Sequence, residues 1–192
     1  MAAFAIRTLL HARRTGSTGF RVGARRSPAE LFGAGGITVA TVMSLAAVVL
    51  STLDVVAPIG FLDRPVVSGL GVGVSVAGIA LVLRAQADMG ASWRIGVDPA
   101  ERTELVTGGL FRWSRNPIFL GMLVFWAGIA LLVPNAVAIL AVVLATAAIE
   151  VQVRVVEEPY LVKTHGAEYE RYAAATGRLV PGVGKLASRP RS

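Results

Sequence analysis

Four long apolar runs constrain this chain more than any other feature of its sequence. They cover approximately residues 35–57, 65–83, 118–133 and 136–156, and charged side chains enter them only near their ends. An α-helix needs about 20 consecutive apolar residues to cross the hydrocarbon core of a bilayer. The sequence therefore predicts an all-α, polytopic integral membrane protein with about four transmembrane helices, followed by short cytoplasmic C-terminal helices.

The composition agrees with this prediction and excludes several kinds of site. Of the 192 residues 54% are hydrophobic and 16% are charged, whereas about a quarter of the residues in a soluble domain are charged. The absence of cysteine excludes disulfides, thiolate metal sites and cysteine nucleophiles. Only two histidines occur, His11 and His165, and they lie far apart in the sequence. We therefore expect no bound metal.

The basic residues predict an orientation in the membrane. They concentrate before the first run, between residues 84 and 117, and after residue 153, whereas the loops at 58–65 and 134–135 contain one, Arg64. Basic loops stay on the cytoplasmic side, so both termini and the 84–117 segment are expected there. The net charge of +7 then reflects orientation, and no nucleic-acid partner is expected. Arginine-rich, lysine-poor usage favours a bacterial inner membrane as the location.

The runs divide the chain into four sections. Residues 1–33 form a basic arm with a single acid, Glu30, which we expect on anionic lipid; its composition also fits a mitochondrial-type presequence. Two transmembrane helices are expected in residues 34–84. A polar loop, a transmembrane hairpin and a C-terminal motif follow in residues 85–181, and a disordered tail in residues 182–192.

Glycines within the second run predict close helix packing. Gly69 and Gly73 have the GxxxG spacing, which lets helix backbones approach each other in lipid. The third glycine of a dinucleotide-binding fingerprint is missing and no strand precedes the pair. We therefore interpret the pair as a packing site.

A polar, arginine-bearing loop, LVTGGLFRWSRNPIFLG at residues 105–121, lies between the second and third runs. The fourth run ends in charged residues at helical spacing, which predicts one shared face. That face could form an ion-pair ladder, Glu150–Arg154–Glu158, or line a polar cavity. Because the loop begins the third run and the acids end the fourth, an antiparallel hairpin of these two runs would bring them together.

The residues that would meet there define a binding chemistry. Arginines and exposed backbone amides suit a carboxylate, glutamates suit an ammonium group or a ribose hydroxyl, and aromatic rings suit a base or a sulfonium. No serine lies next to a histidine, so covalent or metal-assisted hydrolysis is poorly supported. The set favours a zwitterionic or cationic cofactor.

Two segments also resemble a known family. LVTGGLFRWSRNPIFLG is similar to the GPYRYVRHPxYxG signature of the isoprenylcysteine carboxyl methyltransferase and phospholipid methyltransferase superfamily, and EEPYLVKTHGAEYERYAAATGRLVP is similar to its C-terminal signature. GASWRIG, at residues 90–96, resembles a third, shorter segment. The matching residues are Gly109, Phe111, Arg112, Trp113, Arg115 and Pro117 in the first segment, and Glu157, Glu158, Gly166, Tyr169, Tyr172, Arg178 and Pro181 in the second.

The resemblance implies an integral membrane methyltransferase that uses S-adenosylmethionine and methylates a lipid or another hydrophobic small molecule on a carboxylate, thiol or amine. It implies that Glu157, Glu158 and Arg178 orient the acceptor or hold the amino-acid end of the cofactor. The implied cofactor-binding residues are Gly109, Leu110, Phe111, Arg112, Arg115, Asn116, Pro117, Glu158, Tyr169 and Tyr172.

Two departures from the signature keep other interpretations open. Asn116 replaces the usual histidine and Phe119 the usual tyrosine. Asparagine can donate a hydrogen bond but cannot titrate near neutral pH, so a base at position 116 is not expected. One alternative is a membrane sterol-type reductase that uses NADPH, since such enzymes share a similar C-terminal hairpin. The other is a non-catalytic member that binds lipid.

Overall fold

The structure, a computed structural model, describes residues 27–90 and 104–186. The expectations for most of the basic arm, for nearly all of GASWRIG and for the last six residues lie outside these ranges. Helices joined by turns account for the described residues, apart from one isolated parallel β-bridge. The helices are α1 (Pro28–Thr52), α2 (Pro65–Met89), a 3₁₀ turn (Gly109–Arg112), α3 (Pro117–Leu132), α4 (Ala136–Val151), a π-helix (Gln152–Glu157), α5 (Glu158–His165) and α6 (Ala167–Ala175).

Helix α1 begins earlier than the apolar run that predicted it, inside the section expected to be the basic arm. Ser27 is its N-cap, and Ser27 and Glu30 form a capping box in which each side chain accepts a hydrogen bond from the other residue's backbone N–H. Pro28 occupies the first helical position, where its missing N–H costs nothing. Polar capping residues therefore set the start of the helix, and a prediction from hydropathy alone places that start too late.

Helices α2 and α3 pack through glycine, but the predicted GxxxG pair is wrong. No heavy atom from elsewhere in the described structure would meet a β-carbon added at Gly69 or Gly73. The packing glycines are Gly71 and Gly78, which face the backbone of α3. A β-carbon at Gly78 would lie 2.5 Å from the backbone nitrogen of Phe125. The two helices therefore approach at backbone distance, as small residues allow in membrane bundles.

Helices α1 and α4 form the second close pair, also through small side chains. Ala40 and Ala47 of α1 are fully buried, as are several alanines of α4. A β-carbon at Gly36 would lie 2.7 Å from the β-carbon of Ala148. Trp126 of α3 is 3% exposed and fills the space that these small residues leave around Ala40. The core is thus one large ring surrounded by small and aliphatic residues.

Two turns meet at the end of the bundle opposite the polar loop. Ile59 N–H donates to the Pro134 carbonyl at 2.6 Å. Asn135 caps α4 by accepting from Ala138 N–H at 3.0 Å, and its amide donates to the Ala47 carbonyl at 3.1 Å. The two weakly charged loops therefore lie together at this end of the bundle.

The all-α, polytopic fold predicted from the sequence is confirmed. Three helices of the described structure are long and apolar enough to cross a membrane, namely α1, α2 and the continuous helical stretch Ala136–His165. Helix α3 has 16 residues, which gives a length of ~24 Å, shorter than a hydrocarbon core of about 30 Å. A fourth membrane crossing, by α3, stays a prediction. It requires a thinner bilayer or a span lengthened by the residues that adjoin the helix.

Candidate functional site

The polar loop begins with a 3₁₀ turn fixed against the end of α2. Gly109 has φ +58°, a conformation that glycine adopts without strain, and its α-carbon faces the carboxylate of Asp88. Leu110 N–H donates to Asp88 Oδ2 at 2.8 Å. Asp88 also pairs with Arg84 at 3.1 Å and its side chain is only 10% exposed. Sequence reasoning did not select Asp88, because a single acid at the end of an apolar helix resembles an ordinary interfacial residue.

The loop then runs beside the C-terminal segment in a short parallel bridge. Arg115 N–H donates to the Gly177 carbonyl at 2.9 Å, and Asn116 N–H donates to the Arg178 carbonyl at 3.1 Å. The amide of Asn116 donates to the same carbonyl at 3.0 Å. Asn116, which stands where the family signature has histidine, thus binds the C-terminal segment through its side chain.

The guanidinium of Arg115 lies at the centre of the site and is 1% exposed. Nη1 donates to the carbonyls of Ala173 at 2.8 Å and Thr176 at 2.6 Å. Nη2 donates to Glu158 Oε1 and, at 3.0 Å, to the Gly184 carbonyl. Arg115 therefore connects the loop, the start of α5 and the C-terminal segment. Its Nε–H is buried without an acceptor in the described structure.

Glu158 binds both motif arginines. Arg178 Nε donates to Glu158 Oε1 and Arg178 Nη2 donates to Glu158 Oε2, each at 2.9 Å. Hydrogen bonding to Glu158 raises the pKa of Arg178 above its ordinary value. The Arg115–Glu158–Arg178 triad contains two cations and one carboxylate, so it has a net positive charge and attracts an anionic group.

The predicted ion-pair ladder along the fourth run forms only in part. Arg154 pairs with Glu150, whereas Glu158 binds the triad arginines instead. The π-helix at residues 152–157 explains the difference, because its wider turn rotates the following residues away from the face predicted for a regular α-helix.

The two adjacent glutamates have different partners. Glu157 Oε1 accepts a hydrogen bond from Gln152 Nε2 at 3.3 Å. Among residues 27–90 and 104–186 no lysine or arginine forms an ion pair with Glu157. Gln152 Oε1 is buried without a donor there, beside Gly33 of α1. Glu157 and Gln152 thus retain oxygen atoms that can accept further hydrogen bonds, whereas both carboxylate oxygens of Glu158 already accept hydrogen bonds from arginines.

Two tyrosines of α6 pack against this cluster. Tyr169 is 1% exposed, and its ring meets that of Tyr172 edge to face at 6.1 Å. Tyr172 Oη donates to the Phe111 carbonyl at 2.6 Å, which joins α6 to the loop. Burial raises the pKa of Tyr169 to about 12, although the nearby charge of Arg115 opposes the shift, and burial also raises the pKa of Tyr172.

Arg112 does not join the buried cluster. Its guanidinium lies 5.7 Å from the ring centroid of Trp113, and both residues are exposed. Phe111 and Pro117 are buried on either side of them. The structure therefore brings Arg115, Asn116, Glu158 and Arg178 together, and Tyr172 bonds to the Phe111 carbonyl. The side chain of Arg112 faces outward, and Glu157 bonds to Gln152 outside the triad.

The tail also departs from the prediction. We expected disorder from residue 182 onward, but residues 182–186 are bound to the site. Arg178 N–H donates to the Val183 carbonyl at 2.7 Å, and Leu186 N–H donates to the Ala173 carbonyl at 3.0 Å. Together with the Arg115–Gly184 contact, these bonds hold the segment against α6. Glycines at 182 and 184 with positive φ make the required turn, which resembles a disordered linker in sequence.

Comparison with known proteins identifies a family for this chain. A family model described as phospholipid methyltransferase matches residues 66–168, slightly more than half of the chain. No curated protein and no solved structure matches the chain. The matched region contains α2, the loop, the hairpin and both glutamates.

Proposed function

The chain belongs to the phospholipid methyltransferase family, and from that membership we propose that it is a membrane methyltransferase dependent on S-adenosylmethionine. The proposed acceptor is a membrane lipid or another hydrophobic small molecule with a carboxylate, thiol or amine. One observation carries the proposal. The two family motifs of the chain meet in a buried, positively charged cluster, the Arg115–Glu158–Arg178 triad.

The chemistry of the cluster fits the cofactor. The buried Nε–H of Arg115 has no acceptor in the described structure, and the triad has one excess positive charge, which together suit the cofactor's carboxylate. The aromatic rings of Phe111 and Tyr169 suit its base or its sulfonium. We propose that residues 109–117 of the polar loop hold the cofactor. Arg115 and Asn116 act largely by holding the backbone of the loop and of the C-terminal segment in place.

The residues of this chain would act mainly by positioning. When bound, S-adenosylmethionine supplies a methyl group that its sulfonium makes electrophilic. Transfer to a nucleophile then depends on alignment and exclusion of water. Glu158 and Arg178 hold the C-terminal segment against the loop, so they fix the position of the residues proposed to bind the cofactor. Burial of the cluster at the end of a membrane bundle keeps water away from the reacting groups.

We assign the acceptor side of the site to Glu157. Glu158 is bound by two arginines, whereas Glu157 accepts a hydrogen bond from the neutral amide of Gln152 and forms no ion pair with a lysine or arginine of residues 27–90 and 104–186. A carboxyl group in that setting can orient a polar head group and, for an amine or thiol, accept its proton. The acceptor would enter from the lipid between the helices, and the basic loops favour a site at the cytoplasmic face of a bacterial membrane.

Ligand binding tests the proposed function directly. Purified protein in detergent should bind S-adenosylhomocysteine in a calorimetric titration, and NADPH should neither bind nor compete. Tight NADPH binding without S-adenosylhomocysteine binding would instead indicate the reductase interpretation.

A second measurement tests catalysis. Protein incubated with radiolabelled S-adenosylmethionine and a total lipid extract should transfer label into the organic phase. A Glu157→Gln variant should retain cofactor binding and lose transfer. Cofactor binding by wild type without transfer into lipid, thiol or carboxylate pools would favour the non-catalytic alternative.

A further inference from the structure

The contact between Asp88 and the loop has no counterpart in either family motif. Asp88 belongs to the last turn of α2, and the bond that it accepts comes from Leu110 N–H at 2.8 Å. Leu110 is at the second position of the 3₁₀ turn, where a backbone N–H has no partner within the helix. The N-cap residue, Gly108, has no side chain to supply one. Asp88 therefore caps this turn from a different helix.

The geometry around Gly109 makes this cap specific. Its α-carbon is so close to Asp88 that an added β-carbon would overlap Cγ and Oδ2 of the carboxylate. The backbone of the loop can take this position only because residue 109 is glycine with positive φ. The carboxylate and the glycine thus fit each other, and Phe111, two residues further along, accepts a hydrogen bond from Tyr172 through its carbonyl.

The ion pair of Asp88 is secondary to the cap. Arg84 Nε lies 3.1 Å from Asp88 Oδ1, and the Arg84 side chain is 69% exposed. Exposed pairs contribute little to stability, whereas a charge-assisted bond from a partly buried backbone N–H, as from Leu110, is stronger. The two contacts use different oxygens, so one can be removed without the other.

We propose that Asp88 is a positioning residue that fixes the first turn of the cofactor-binding loop. This inference rests on the proposed function, because it assumes that the 109–117 loop contacts the cofactor. When a loop is already held in its bound conformation, less conformational entropy is lost on binding. Asp88 itself does not need to touch the cofactor.

The test compares three variants of the full-length protein in detergent with S-adenosylhomocysteine as the probe. Asp88→Ala removes the cap and should weaken binding about tenfold, with a smaller effect on the melting temperature than on affinity. Asp88→Asn keeps an oxygen at the same position and should recover part of the affinity. Arg84→Ala is the matched control and should bind as wild type does, because it leaves the Leu110 bond intact.

Unchanged affinity in Asp88→Ala would overturn the inference, and so would an equal loss in Arg84→Ala. Hydrogen–deuterium exchange of the peptide around Leu110 provides a second readout that needs no ligand. Exchange should be faster in Asp88→Asn than in wild type, and it decides the question if Asp88→Ala does not fold. Identical exchange in the two proteins would contradict the positioning role.

The two proposals fail in distinguishable ways. If wild type does not bind S-adenosylhomocysteine but Asp88→Asn exchanges faster, the proposed function is wrong and Asp88 still positions the loop. If wild type binds and the Asp88 variants match it in both affinity and exchange, the inference is wrong and the proposed function stands.

Discussion

Adjacent residues of one motif have different environments in this protein. Glu158 is enclosed by Arg115 and Arg178, whereas the neighbouring Glu157 contacts the amide of Gln152. The family resemblance implies for both glutamates a role in orienting the acceptor or holding the amino-acid end of the cofactor, and it adds only Glu158 to the cofactor-binding residues. The structure supports a division in which Glu158 stabilises the site and Glu157 is available to a ligand.

This division predicts different effects of two equivalent substitutions on stability. Glu158→Gln leaves two buried arginines without a counter-charge, which should lower the free energy of unfolding by about 3–5 kcal/mol. Glu157→Gln removes no ion pair seen in the described structure and should change it little. Thermal melts of the detergent-solubilised variants provide the measurement. Equal shifts in melting temperature for the two variants would contradict the division.

The buried tyrosines predict a loss of stability at high pH. Burial raises the pKa of Tyr169 to about 12 and also raises that of Tyr172, whereas an unfolded tyrosine ionises near pH 10. The folded state thus holds these protons more tightly, so stability is intact below about pH 10 and falls as pH rises toward about 12.

Melting temperatures measured between pH 9 and pH 11.5 check this expectation. Wild type should lose stability over that range, and Tyr172→Phe should lose less, because it has one titrating group fewer. A Tyr172→Phe curve parallel to that of wild type would show that other groups control alkaline unfolding.

At the scale of elements, the bundle consists of two pairs that meet through small residues. Helix α2 packs on α3 through glycine and α1 packs on α4 through alanine, while Trp126 fills the centre. The π-helix then rotates the end of the α4 stretch so that Glu158 meets the arginines. Helix pairing thus provides the scaffold, and one irregular turn orients the site.

The α2–α3 contact predicts opposite outcomes for two glycines of the same helix. Gly78→Val places a side chain against the backbone at Phe125, so overpacking should cost about 1–3 kcal/mol or more. Gly73→Val adds a side chain where no other part of the described structure lies within 4 Å and should be close to neutral. Thermal melts in the same detergent compare the two, and destabilisation by Gly73→Val alone would contradict the packing.

At the scale of the whole molecule, the segment that follows the second motif completes the site. Residues 182–186 return to the loop through the Gly184 carbonyl, which accepts from Arg115, and the Val183 carbonyl, which accepts from Arg178. The segment therefore belongs to the same cooperative unit as the two motifs.

Two truncations separate this contribution from that of the residues beyond it. A chain that ends at Pro181 loses the acceptors at Val183 and Gly184, so it should melt at a lower temperature and bind S-adenosylhomocysteine more weakly. A chain that ends at Leu186 keeps all of these contacts and should match the full-length protein in both measurements. Equal behaviour of the two truncated chains would refute the role of the segment.

The all-α membrane architecture and the meeting of the two motifs could both be predicted from the amino-acid sequence. The length of the apolar runs requires helices in lipid, and a hairpin brings the loop that begins α3 to the acids that follow α4. Family resemblance then identified the residues of the cluster, including Arg115 and Glu158, that the structure brings together.

The contacts between these residues could not be predicted from the sequence, because they depend on the three-dimensional arrangement of the helices. Periodicity assumes 3.6 residues per turn, so it could not place Glu158 beyond the π-helix at residues 152–157. Hydropathy does not distinguish a glycine that faces lipid from one that faces a helix. The GxxxG spacing therefore predicts packing at Gly69 and Gly73, whereas Gly71 and Gly78 make the contact. Asp88 acquires its role through a partner more than twenty positions away, a distance over which no local pattern extends.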